Sequence, residues 1–221
     1  NGCTDSETQT VDVNGIPNVS FTGLSASYCE DDASAYPLVG TPTGGTFSGF
    51  GISGSDFVPS AANNGTHTIT YAYTDPFGCS SSDQQSVVVN ELPVVSFTGL
   101  SAAYCEDAVP APLTGSPSGG TFSGPGIVGN SFSAVVAGVG NHVIVYTYTD
   151  GNGCTNTAST NVAVNGNPVP VITPSGVSEI CAGTNITLDA GTGYAIYAWN
   201  TNQNGQSINV NSAGDYNVTV T

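Results

Sequence analysis

The chain repeats itself, and the repeat constrains its fold more than any single motif does. Residues 19–31, VSFTGLSASYCED, recur at 95–107 as VSFTGLSAAYCED, an offset of 76. GGTFSGFGI at 44–52 recurs as GGTFSGPGI at 119–127, and GTHTITYAYTDPFGC at 65–79 recurs as GNHVIVYTYTDGNGC at 140–154, both offset by 75. One residue is therefore dropped between the first two stretches, near Asp32 to Tyr36. A period near 75 residues is the size of a small domain. The expected division is a closing strand of a preceding repeat at 1–15, one repeat at 16–90, a second at 91–165, and a divergent, incomplete third at 166–221.

The six cysteines keep the same beat and fall into two classes. Cys29, Cys105 and Cys181 each open a block, and Cys3, Cys79 and Cys154 each close one. Six cysteines allow 15 pairings. The repeat suggests one bridge per block, Cys29–Cys79 and Cys105–Cys154, with Cys3 and Cys181 unpaired within the chain. Two readings of those end cysteines stay open. Either the chain is a window cut from a longer array, or copies join end to end with residues 1–15 completing the third block of the next, as in strand donation. No C-x-x-C pair occurs, so zinc ligation is disfavoured. Disulfides imply an oxidising, extracellular setting.

Strand signals dominate. In THTITYAYTD, Ile69, Tyr71 and Tyr73 share one face, and Ile144, Tyr146 and Tyr148 repeat the pattern, which is the period of a half-buried antiparallel strand. SVVVN (86–90) and NVAVN (161–165) read as closing strands, PVVSF (93–97) and GGTFSG (119–124) as earlier ones. With 29 Gly and 13 Pro, turns are frequent and no helix is expected. The expected fold is all-β: tandem small immunoglobulin-like β-sandwiches of about seven short strands each, with Pro17, Pro93 and Pro168 at the joints.

Charge excludes several functions. The chain has no Lys or Arg and 16 Asp plus Glu, a formal charge of -16. Nucleic acids and anionic lipid surfaces are therefore not partners. A phosphate loop and a side-chain isopeptide bond would both lack their Lys. No apolar run reaches the roughly 20 residues of a membrane helix.

The candidate sites are acidic. If Cys29 met Cys79, Glu30, Asp31 and Asp32 would approach Asp75; in the second block Glu106 and Asp107 would approach Asp150. Clustered carboxylates with nearby carbonyls are how Ca²⁺ is held. Yet Asp also starts ordinary turns, and plain turns with solvated acids are the favoured reading. No other cofactor is expected. His67 and His142 begin equivalent strands and read as structural. Tyr28, Tyr104, Phe47, Phe122, Tyr71 and Tyr146 recur at matching places, which favours core packing over a sugar-binding face. No G-x-S-x-G or comparable arrangement appears, and the expectation is no enzyme.

YCED, LTGSPSGGTFSGPGI and AGVGNHVIVYTYTDGNGC, within 104–154, resemble the repeats of giant surface proteins of gliding Bacteroidota. YAWNTNQNGQSINVNSAGDYNVTVT (197–221) is similar to immunoglobulin-like modules in cargo of their type IX secretion system. The resemblance implies a long adhesin at the cell surface, touching neighbouring repeats and a polysaccharide or other substratum. The alternatives are a calcium-dependent or glycan-binding module, a spacer of a secreted enzyme, and a strand-donating filament subunit.

Overall fold

The computed structural model describes residues 2–174, 179–181 and 183–221, and the chain is all-β. Its residues form two compact units: Asn1–Gly99, Leu113–Ser123 and Ile144–Thr160 in one, Leu100–Pro112, Gly124–Val143 and Asn161–Thr221 in the other.

The first block contains nine strands: β1 (Ser20–Thr22), β2 (Ser27–Cys29), β3 (Tyr36–Pro37), β4 (Val39–Thr41), β5 (Thr46–Ser48), β6 (Ile52–Ser53), β7 (Asp56–Phe57), β8 (Gly65–Thr74) and β9 (Ser80–Asn90). A one-turn helix, α1 (Pro59–Ala62), follows β7. The long hairpin β8–β9 is the spine, in register from Gly65 opposite Val89 to Thr74 opposite Ser80. β5 extends it on one edge and β2 on the other, giving the order β2-β9-β8-β5. β2 runs parallel to the end of β9, with Cys29 opposite Asn90. The smaller sheets β1-β4 and β3-β7-β6 complete the block.

Alternation explains the core. Along the spine, Ile69, Tyr71, Val87 and Val89 point inward and are buried, while their neighbours in sequence face outward. They pack with Phe21, Tyr28, Leu38, Phe57 and Ala62, which the smaller elements supply. Phe47 stands edge-on to Phe21 and tilts over Tyr71; of the aromatic residues expected to be core, Tyr28, Tyr71 and Tyr146 are buried, and Phe47, Tyr104 and Phe122 are half-buried.

The elements recur in the second block: β10 (Ser96–Thr98), β11 (Ala103–Cys105), β12 (Ala111–Pro112), β13 (Thr114–Ser116), β14 (Thr121–Ser123), β15 (Ile127–Val128), β16 (Ser131–Phe132), helix α2 (Ala134–Ala137), β17 (Gly140–Thr149) and β18 (Thr155–Asn165). The sheet order β11-β18-β17-β14 repeats that of the first block, and Cys105 lies opposite Asn165. The two helical turns were not expected. Neither exceeds four residues, too few to show a helical period, and only α2 has a capping side chain, Ser133 Oγ accepting from Val136 N–H.

The final segment has β19 (Ile186–Asp189) paired with β21 (Ser207–Val210), and β20 (Tyr197–Trp199) paired with β22 (Val218–Val220). Trp199 fills its core with Leu188, Ala190, Ile208 and Val210, and its indole N–H donates to Gly205 O at 3.0 Å. No helix among the described residues is long and apolar enough to cross a membrane.

Candidate functional site

The cysteine arrangement departs from the expected one. The single disulfide joins Cys29 to Cys154, 125 residues apart, with Cα atoms 5.6 Å apart. Cys3, Cys79, Cys105 and Cys181 are free. The expected Cys29–Cys79 and Cys105–Cys154 bridges are therefore corrected, and strand geometry explains why. Cys29 sits opposite Asn90, the last residue of β9, whereas Cys79 precedes its first. Eleven residues at about 3.3 Å each separate those ends by roughly 36 Å, and a disulfide needs Cα atoms within about 7 Å. Cys105 likewise lies opposite the last residue of β18, and Cys154 precedes its first. The repeat spacing identified the two classes correctly but not which member of each class meets which.

Two short devices place these sulfurs. The first is a turn. Asp75 Oδ1 accepts from Phe77 N–H (2.9 Å) and Cys79 N–H (2.8 Å), and Asp75 N–H donates to Cys79 O (2.9 Å). Asp150 does the same with Asn152 and Cys154 (both 2.9 Å). Gly78 and Gly153 take φ of 89° and 86°, which a side chain would strain. The second is a clasp. Glu30 N–H donates to Asn90 O (2.9 Å), and Glu30 Oε1 accepts from Leu92 N–H (3.0 Å). Glu106 repeats it with Asn165 O (2.8 Å) and Asn167 N–H (3.2 Å). The glutamate after each opening cysteine thus ties down the chain leaving the block.

These roles account for the proposed calcium ligands. Glu30 and Asp32 lie at the opposite end of β9 from Asp75, so the expected approach does not occur. Asp31 and Asp107 are exposed. Asp32 accepts from Tyr36 Oη–H (2.6 Å) and Ser34 N–H (2.9 Å). The Tyr36 hydroxyl, then the Ser34 N–H, hold its carboxyl below the usual carboxylate range. Among the described residues, no group of three or more His, Cys, Asp or Glu is placed to hold a metal ion.

The histidines are structural. His67 Nε2 lies 3.0 Å from Asn63 O and His142 Nε2 lies 2.8 Å from Gly138 O, each bracing the turn after a helix. An open cleft of about 450 Å³ in the first block is lined by Leu38, Gly40, Gly45, Phe47 and Tyr71 among others, and Tyr71 is its sole titratable side chain. The Tyr71 hydroxyl is already engaged, accepting from Gly45 N–H (2.8 Å) and donating to Pro42 O (2.5 Å).

No known family model and no curated protein matches the chain. A solved structure described as a Ca²⁺-stabilized adhesin that helps an Antarctic bacterium reach out and bind ice aligns over 93% of this chain and 72% of that one, at 15% identity and a TM-score of 0.36. A likeness at that level bears on neither ligand nor activity.

Proposed function

We propose that the chain is a load-bearing segment of an extracellular adhesive fibre, built of β-sandwich repeats at 16–90 and 91–165, with the closing strand of another repeat at 1–15 and a divergent one at 166–221. The observation that carries this is the Cys29–Cys154 bridge, which links a cysteine of the first sequence block to one of the second instead of closing either block on itself. Covalent linkage across blocks serves resistance to pulling. The disulfide favours an oxidising, extracellular location, and the formal charge of -16 keeps neighbouring fibres apart by repulsion. The resemblance to repeats of gliding-bacterium surface proteins supports adhesion to a substratum, export by the type IX system and placement at the cell surface.

Force spectroscopy on the whole chain, pulled from its ends, tests the reading. The intact bridge shields the stretch between its cysteines, which stand 125 positions apart. Reduction is expected to add roughly 400 Å of extensible chain, at about 3.3–3.6 Å per residue. Equal extension with and without reductant overturns the load-bearing role.

A second reading has one observation in its favour. Val11 and Val13 are 76% and 92% exposed, whereas their counterparts Val87 and Val89 are buried. A segment that matches the closing strands in sequence but pairs in no strand here, with its apolar residues uncovered, suits donation to another block. Concentration-dependent association in sedimentation supports this reading, and a monomer at all concentrations ends it.

A further inference from the structure

Cys79 sits in the same kind of turn as Cys154 but has no bonded partner. Its N–H is held by Asp75 as that of Cys154 is held by Asp150. Its sulfur lies 3.9 Å from Asn14 O. Asn14 ends TVDVN (10–14), the counterpart of SVVVN ending at Asn90 and NVAVN ending at Asn165. In both of those strands the final Asn has an opening-class cysteine as its lateral partner: Cys29 opposite Asn90 and Cys105 opposite Asn165. Cys154 bonds the cysteine standing beside Asn90. Cys79 therefore faces the place beside Asn14 where such a cysteine stands, and what it lacks is that partner thiol.

We infer that Cys79 is a second disulfide site of the same staggered kind, whose partner is the opening-class cysteine of another repeat closed by the segment TVDVN. Cys105 is the complementary half-site and takes the closing-class cysteine of a following repeat. Each repeat then gives its two cysteines to two different bridges, one toward each neighbour, and none within itself. Two thiols react with a small-molecule disulfide such as oxidised glutathione. One protein S–S bond forms, the oxidant's S–S bond breaks, and two molecules of reduced glutathione carry away the two electrons and two protons. The inference deepens the fibre reading, but its test counts bridges and does not depend on whether the fibre adheres or bears load.

The experiment supplies the missing partner. Residues 1–14 are replaced by a second copy of 16–90 marked by Asp31→Glu and Ser80→Thr, so that its cysteine peptides differ in mass from the native ones and its Asn90 leads into Gly15. The chain is refolded in oxidised and reduced glutathione, alkylated, cut with pepsin without reduction, and mapped by mass. The expected result is a new bridge between the copy's Cys29 and Cys79, with Cys29–Cys154 retained. Free thiols fall from the four of the original chain to three. A free Cys79, or a bridge between the copy's own Cys29 and Cys79, overturns the inference. Retention of Cys29–Cys154 reports that the extended chain has folded. The unaltered chain is mapped in parallel: Cys29–Cys154 with alkylated Cys79 and Cys105 agrees with the staggered rule, and a bridge within either block overturns it even if the extended chain fails to fold.

Discussion

Gly40 and Gly115 each lie against a tyrosine ring. A Cβ at either position would come within 2.0 Å of the Cζ of Tyr71 or Tyr146. The ring crosses the glycine so that its hydroxyl can reach the loop beyond: Tyr146 Oη accepts from Gly120 N–H (2.8 Å) and donates to Pro117 O (2.6 Å). Gly115→Ala is expected to destabilise the chain by about 2 kcal/mol or more through overpacking. Tyr146→Phe should cost about 1–3 kcal/mol by leaving both loop groups unpaired. Urea unfolding of the two variants checks both figures. Asp32 gives a pH signature. Its carboxyl is lowered from the ordinary 3.8, chiefly by Tyr36. A lowered carboxylate contributes stability that is present above its unfolded value and lost as pH falls through the folded one. Tyr36→Phe should therefore be less stable than the parent at neutral pH. The gap should close on acidification well below 3.8, as denaturant midpoints at the two pH values will show.

At the scale of elements, the strands were legible and their partners were not. Alternation of apolar and polar residues marked β8, β9, β17 and β18, because each has one face on a core and one in water. The parallel contact of β2 with β9 left no such trace, since three residues carry no period and register depends on neighbours distant in sequence. The acids show the same limit. Spacing placed Glu30 and Glu106 beside a cysteine, but only the folded chain shows each accepting from the backbone that leaves its block. A useful signal was present in the sequence: both glutamates follow an opening cysteine and stand about 60 residues before a closing Asn, and the Asn and the clasp recur together. Glu106→Ala is expected to raise amide exchange at Asn167 by about fivefold or more, corresponding to about 1 kcal/mol for one charge-assisted hydrogen bond lost at an exposed site. Unchanged exchange there would mean that the clasp does not hold in solution.

For the whole molecule, cohesion comes from apolar cores, backbone ladders and the cross-block bridge, with no ion pairs between Lys or Arg and acids because the chain has neither cation. The carboxylates of Glu30, Asp32, Asp75, Glu106 and Asp150 are occupied by N–H and O–H donors. Removal of divalent ions with EDTA should therefore shift the melting temperature by less than about 2 °C, the equivalent of under about 1 kcal/mol for a chain of this size. A larger drop in calorimetry would reveal a cation site. The stagger of Cys29 and Cys154 has a further consequence. Any one peptide bond between them, including those beside the exposed Glu91, can be severed by a protease without parting the molecule. The two fragments remain on one covalent thread, and a strand of such repeats tolerates nicks as a spliced rope tolerates a broken yarn.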